Sequence, residues 1–248
     1  MRNQIVILAA GKGTRMGNSK VPKVLVMLKN RPLIFYLLQE LDKITQLVKS
    51  VVVIGYMYRQ VREILGDDYS YAIQDKQLGT AHALLAAKYK ITGENILVLY
   101  GDHPLIKAES LKELMRLHHR TQANISMFTA TVPNFEGAYK PLAQFGRVVR
   151  NSEGAIEKII EFKDATEEEK QIKEINPGIY MFNSQWLWQN APKIKNDNAQ
   201  AEYYLTDIVE VAIAHGETVQ ALPIDPKEVI GVNSPEDLKL AEQLISNK

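Results

Sequence analysis

The stretch MRNQIVILAAGKGTRM, residues 1–16, is where a reading of the fold begins. Ile5-Val6-Ile7-Leu8 is a continuous apolar run that passes straight into Ala9, Ala10, Gly11, Lys12, Gly13, Thr14 and Arg15. A run with no polar alternation is what a strand covered on both faces requires, as in a parallel sheet between helices. The loop after it offers small residues, then glycines, then cations. Leu8, Ala9, Ala10, Gly11 and Gly13 let a ligand approach the backbone, and free N–H groups there make an anion-binding concavity. The loop lacks the GxxxxGK[ST] of a Walker A motif. It also fails the dinucleotide fingerprint, because Met16 stands where the third glycine belongs and Gly55-Tyr56 replace the acid expected after the second strand.

Outward from this loop, Val51 to Ile54 and Ile96 to Leu99 repeat the buried-strand signature. Between the first two runs, Ile34, Leu37, Leu38, Leu41, Ile44 and Leu47 recur at helical spacing, as do Leu111, Leu114, Met115 and His118 after the third. The alternation predicts βαβ units on a doubly wound, mostly parallel, Rossmann-like α/β sheet. From about Ala123 to Phe182, strand-like pieces (125–132, 146–150, 156–162, 179–182) follow one another with one charged helical insert, Thr166 to Lys173. They predict an antiparallel lobe carried on the same sheet. Val229 to Val232 reads as a late strand, and Ser234-Pro235-Glu236-Asp237 opens a final helix with an N-cap, a proline at N1 and an acid at N3. One domain is expected over 1–248, with a core over about 1–122, a lobe and return over about 123–233, and a helix over 234–248.

Composition narrows the function. The 248 residues carry 30 Lys+Arg against 29 Asp+Glu, no cysteine and 46% hydrophobic residues, as in a compact soluble chain without disulfides or thiol chemistry. A net charge of +1 supplies no general field for nucleic acid or an anionic membrane, and neither partner is expected. The N-terminal apolar run is too short to span a bilayer, which makes the cytoplasm the default compartment.

Lys12, Arg15 and Lys23 bring several positive charges to one mouth. A nucleoside triphosphate and a phosphorylated partner together carry about six negative charges, and at an effective dielectric of ~20 a pair at ~4 Å is worth roughly 4 kcal/mol. Arg15 and Lys23 are the candidate triphosphate cations. Asp102 follows the strand Ile96 to Leu99, at the carboxyl end where open α/β sheets bind ligands, although an aspartate there is also a common turn former. Asn233 is a second oxygen donor leaving a strand, and Mg²⁺ needs only one or two protein oxygens besides water and phosphate. Gln74 and Gln77 flank the loop before Gly79-Thr80, and a glutamine amide can both donate and accept toward a pyrimidine edge. Thr80 reads equally well as a helix cap, and Glu161 as an exposed charge on an antiparallel strand.

LAAGKGTRM followed by PK resembles the signature of the sugar-1-phosphate nucleotidylyltransferases. QLGTAHA, YGDHPL, IIEFKDATEEEKQIKEINPGIY, NDNAQAEYYLTDI and GVNS resemble, in order, the uridyltransferase part of the bifunctional N-acetylglucosamine-1-phosphate uridyltransferases, over nearly the whole chain. The resemblance implies the nucleotide-diphospho-sugar transferase fold, with a nucleotide-binding core and a sugar-binding lobe. It implies attack by N-acetylglucosamine 1-phosphate on the α-phosphorus of UTP, with pyrophosphate leaving and UDP-N-acetylglucosamine formed as a cell-envelope precursor. Mg²⁺ falls to Asp102 and Asn233. Uracil falls to Gln74 and Gly79 with Gln77 and Thr80 nearby, and the sugar to Gly146, Glu161 and Asn176, with Tyr100, Gly101 and Thr206 beside them. Another sugar 1-phosphate, dTTP, or a non-catalytic nucleotide-sugar-binding regulatory module are the alternatives.

Departures from the family pattern fall at Gly17 to Val21, at His103 in place of a small apolar residue, at Tyr139 to Phe145 before Gly146, and at Pro177 after Asn176. With no hexapeptide-repeat segment in the sequence, acetyl transfer and the trimer it organises are not expected; a homo-oligomer of another kind is left open.

Overall fold

The computed structural model describes residues 2–17, 20–45 and 47–246, and its sheet is built outward from β1 (Asn3–Ala9). Ile5, Val6 and Ile7 are wholly buried, Ile5 and Ile7 in one apolar cluster and Val6 and Leu8 in another. Both faces of β1 are therefore covered, which is why its sequence does not alternate. In chain order there follow β2 (Met27–Leu28), β3 (Arg31–Pro32), α1 (Ile34–Leu41), β4 (Leu47–Ile54), α2 (Tyr58–Leu65), β5 (Ser70–Ile73), α3 (Thr80–Ala86), β6 (Asn95–Tyr100), α4 (Ala108–Thr121) and β7 (Ile125–Thr131). The second half adds β8 (Gly146–Arg150), β9 (Ile156–Ile160), β10 (Glu174–Asn176), β11 (Tyr180–Asn183), α5 (Ser184–Asn190), α6 (Asp207–Ala214), β12 (Gln220–Pro223) and α7 (Pro235–Ser246).

Strands β5, β4, β1 and β6 lie side by side and parallel, the doubly wound arrangement expected. Helices α1, α2 and α4 contribute Leu37, Val61 and Leu111 to one face, and α3, α5 and α6 contribute Leu84, Leu187 and Ile208 to the other. Beyond β6 the pairing turns antiparallel through β11 and β7. β10 and β11 both run along β7, Ile175 opposite Ala130 and Tyr180 opposite Met127, with a break between them at Pro177, Gly178 and Ile179. At this break the sheet forks: β11 keeps β6 as its other neighbour, whereas β10 turns to β8, which pairs with β9. Gly178 sits in the fork at φ 77°, and a Cβ there would lie 2.7 Å from the Tyr100 ring. Only glycine tolerates both demands.

Several expectations change. The helical spacing from Ile34 does not run to Leu47: α1 ends at Leu41, and Leu47 opens β4 opposite Asn3 because ladder pairing outweighs the residual periodicity. Val229 to Val232 is not a strand. It crosses the carboxyl end of β6, where Val232 N donates to the Asp102 carbonyl at 2.9 Å. The Thr166 to Lys173 insert reduces to a 3₁₀ turn at Glu169–Gln171, even though Thr166 and Glu169 form the reciprocal pair of a helix start. The lobe is not wholly antiparallel in its surroundings either, since β12 lies parallel to β7. The final helix is present, capped by Ser234; Asn247 and Lys248 lie outside the described residues. Among the described residues no helix is long and apolar enough to cross a membrane.

Candidate active site

The loop after β1 is shaped by Gly13, whose φ of 64° starts the 3₁₀ turn Thr14–Met16. A Cβ on Gly13 would lie 2.7 Å from Lys23 Cβ, so the glycine also makes room for that lysine. The loop forms part of a cleft of about 370 Å³. Leu8, Ala9, Ala10, Gly11 and Gly13 line it from β1 and its loop; Gln74, Gln77, Gly79 and Thr80 line it from the β5–α3 connection. A second cleft, of about 250 Å³, opens at the fork and is lined by Gly146, Glu161, Asn176, Thr206 and Asn233. Lys23, Tyr100 and Asp102 line both.

Lys23 therefore stands at the junction, and its ammonium ion-pairs with Asp102 while donating to Asn233 Oδ1 at 2.9 Å. Each partner is positioned by a different element. Lys23 opens the 3₁₀ turn Lys23–Leu25, and Asp102 leaves β6 at the carboxyl end of the parallel strands. Asn233 N donates to Asp237 Oδ2 at 2.9 Å while Asp237 N donates to Ser234 Oγ at 3.1 Å, so the capped first turn of α7 holds Asn233 in place. Asp102 is 6% exposed. Burial alone would push its carboxyl up, but Lys23 and His103 outweigh that and hold it below the usual carboxylate range.

The carboxylate of Asp102 and the amide oxygen of Asn233 meet around one cationic nitrogen, so the same two oxygens can face one metal ion. Hard oxygen donors of this kind suit a divalent cation that keeps water or phosphate as further ligands. Among the described residues no cluster of three or more His, Cys, Asp or Glu groups forms a complete protein cage.

At the fork, Glu161 Oε1 accepts from Thr206 Oγ1 at 3.0 Å. Burial pushes the Glu161 carboxyl up, the Thr206 bond opposes this, and Asp164 and Glu202 add to the rise. Asn176 donates to the Tyr180 hydroxyl at 2.6 Å and accepts from Gly178 N at 2.9 Å. Its amide is thus partly engaged in holding the fork, with one N–H and one lone pair left over. Behind both residues Arg147 is 1% exposed, and its guanidinium donates to the carbonyls of Ala143, Phe145 and Lys170. Phe135 covers it at 4.4 Å. This cation ties the Gly137–Gln144 turn, which ends beside Gln144 and Phe145 in the fork cleft, to the turn at Lys170.

Two candidates fall elsewhere. Arg15 is exposed and lines neither of these two clefts; it lines a neighbouring one of about 500 Å³ with Glu161, Phe162 and Tyr204, and another with Gln144, Phe145 and Asn233. Gly101 lies behind the lining, where a Cβ would approach Val24 Cγ1 to 3.0 Å. Thr80 does not cap α3: its Oγ1 accepts from Leu205 N at 2.9 Å, tying the start of α3 to the segment before α6. The unusual His103 is buried between Tyr100 and Phe145, with ring centroids at 5.5 and 6.3 Å, and burial pushes its pKa down. Lys12, one of the loop cations, and Thr14 also line the first cleft, and Gln144 and Phe145, from the departing stretch Tyr139 to Phe145, line the second. Glu202, inside the quoted motif NDNAQAEYYLTDI, lines the first cleft although it was not singled out. Of the departing stretch Gly17 to Val21, Asn18 and Ser19 lie outside the described residues.

The nucleotidyl transferase family profile matches residues 4–227. The bifunctional protein GlmU of Geobacillus thermodenitrificans is 41% identical over 251 residues, covering 100% of this chain and 53% of the relative. Its counterpart in Bacillus subtilis is 38% identical, covering 98% of this chain and 52% of the relative. The chain spans about half the length of these curated relatives. Among solved structures, a UDP-glucose pyrophosphorylase in complex with UDP-glucose matches with a TM-score of 0.77 at 18% identity, covering 100% of this chain and 99% of that one. An inositol-1-phosphate CTP transferase from T. maritima matches with a TM-score of 0.74 at 18% identity, covering 98% and 94%. Identities this low establish the shared fold alone.

Proposed function

The chain belongs to the nucleotidyl transferase family, and from that premise we propose that it makes UDP-N-acetylglucosamine and pyrophosphate from UTP and N-acetylglucosamine 1-phosphate. The observation that carries the proposal is the meeting of Lys23, Asp102 and Asn233 at the junction of two clefts. One cleft has the small-residue loop that a triphosphate needs, and the other has the buried polar groups that a sugar needs. In this reading residues 1–122 are the nucleotide-binding core and 123–233 the sugar-binding lobe of one domain.

A sugar-phosphate oxygen attacks the α-phosphorus of UTP, forming one P–O bond, while the bond to the β-phosphate breaks and pyrophosphate leaves with its electron pair. An ionised phosphate is already nucleophilic, so the site needs no general base. Its work is positioning and charge stabilisation. Asp102 and Asn233 would hold Mg²⁺, which when bound neutralises phosphate charge. Lys23, released from those two oxygens, reaches the phosphates from the same junction, and Arg15 approaches from the sugar side. Loop N–H groups from Ala10 to Gly13 receive the triphosphate. Gln74 and Gly79 meet uracil, with Gln77 and Thr80 beside them. Glu161, Asn176 and Thr206 receive sugar hydroxyls against Gly146 and Tyr100; a carboxylate and an amide there reject analogues lacking those hydroxyls.

The test is pyrophosphate release with Mg²⁺ across UTP, dTTP, CTP and GTP, each paired with N-acetylglucosamine, glucosamine, glucose and galactosamine 1-phosphates. The expected peak is UTP with N-acetylglucosamine 1-phosphate. A peak at another sugar relocates the substrate while keeping the chemistry. No turnover anywhere, with tight UDP-sugar binding by calorimetry, overturns the enzyme in favour of a regulatory module.

A further inference from the structure

Gln74 lines the phosphate-loop cleft, yet it is only 4% exposed and most of its amide is committed elsewhere. Its Nε2 lies 3.0 Å from the Gly79 carbonyl oxygen and 3.0 Å from His82 Nδ1. A carbonyl oxygen only accepts, so the atom facing Gly79 must be the NH₂ group. That group has two hydrogens. One goes to Gly79 and the other to His82, whose Nδ1 must then be the unprotonated nitrogen of a neutral ring. The amide is left with one group to offer a ligand, the acceptor Oε1.

We propose that His82, which is not among the residues lining that cleft, sets its base preference by locking the Gln74 amide with its carbonyl toward the ligand. The inference rests on the reading above that Gln74 meets the base. Ring position 3 of uracil or thymine is an N–H donor, and the same position of cytosine is an acceptor. An acceptor-only Gln74 attracts the first pair and repels the third. A glutamine free to turn over would serve either kind of base, because its two ends are nearly the same size. Here turning over breaks the bond to Gly79, sets an oxygen against its carbonyl, and forces the His82 ring to move its proton to Nδ1. His82 is thus a positioning residue for base selection, acting through Gln74.

The test is calorimetric affinity for UTP, dTTP and CTP in the wild type, His82→Leu and His82→Asn, with cooperative melting checked for each. The wild type is expected to bind UTP at least about tenfold tighter than CTP. In His82→Leu one of the two locking bonds is gone, and the UTP-to-CTP ratio is expected to fall by about tenfold, the worth of one such hydrogen bond. The fall should come mainly through tighter CTP binding. In His82→Asn the side-chain oxygen can take the place of Nδ1, and the ratio is expected to recover. An unchanged ratio in a folded His82→Leu overturns the inference. So does an equal loss of affinity for both nucleotides in both variants, which is what a merely structural role gives. A wild type that prefers dTTP to UTP but rejects CTP removes the uridyl reading, and the His82 lock then stands or falls on the dTTP-to-CTP ratio. A wild type that prefers CTP sinks both.

Discussion

The wall of the phosphate-loop cleft between Leu8 and Thr14 is consecutive sequence, backbone and small side chains that leave room for a ligand. At the fork, Gly146, Glu161, Asn176 and Thr206 arrive from separate segments and are held by side-chain hydrogen bonds and by a buried guanidinium. Electrostatics divides the same way. At the junction a cation holds the Asp102 carboxyl down, whereas at the fork burial and neighbouring acids push Glu161 and Asp207 up. One side sets a cation against a carboxylate; the other concentrates neutral and acidic oxygen.

The sharpest way to separate the two regions is at their junction. Asp102→Asn is expected to lower kcat by ~10³-fold with the fold intact, the scale of losing a preorganised electrostatic contact to a transferring phosphoryl group. Steady-state kinetics with a circular dichroism melt checks it, and near-normal turnover would remove Asp102 from the proposed chemistry. Lys23→Ala is expected to lower kcat by ~10²-fold. In the same variant, calorimetric Mn²⁺ binding without nucleotide should tighten, because ammonium and dication compete for the oxygens of Asp102 and Asn233. Weaker Mn²⁺ binding would mean that the lysine supports the metal instead of displacing it.

The fork should break differently. Arg147→Met removes a buried cation whose partners are backbone carbonyls on two turns. It should raise KM for the sugar phosphate by about tenfold or more, lower the melting temperature, and leave KM for UTP within about twofold. Equal changes in both KM values would show that the clefts do not behave as separate regions.

The smallest effect is on stability. Asp207, beside Thr206, has its pKa pushed up to about 7 by burial first and then by Glu210, Glu161 and Asp164. The folded chain thus binds this proton more tightly than the unfolded chain. The stabilisation is complete below the ordinary aspartate value near 4 and is lost as pH rises through about 7. Asp207→Asn should therefore melt higher than the wild type at pH 8 and lose that advantage by pH 4. An advantage that persists at pH 4 would assign the effect to packing.

Legibility in the sequence followed locality. The loop from Leu8 to Thr14 could be read because strand, small residues and cations are adjacent, and Ser234 to Asp237 because an N-cap is a short-range pattern. The spacing from Ile34 misled at Leu47, where the partner across the ladder, Asn3, decides between helix and strand. Val229 to Val232 looked like a strand because it is apolar and buried, but its backbone crosses the end of β6 and makes no ladder. Glu202 and His82 fall inside quoted motifs, NDNAQAEYYLTDI and QLGTAHA, but neither stood out within them, since each matters through residues that folding brings to it.

Taken alone, the sequence determined the parallel core and the small-residue loop that leaves its first strand, because buried strands and glycine-rich loops are written in neighbouring side chains. Only the tertiary structure decided that Lys23, Asp102 and Asn233 meet at one point, that the sheet forks at Gly178, and which way the Gln74 amide faces. Each of those depends on a hydrogen bond, an ion pair or a close approach between residues that only folding brings together.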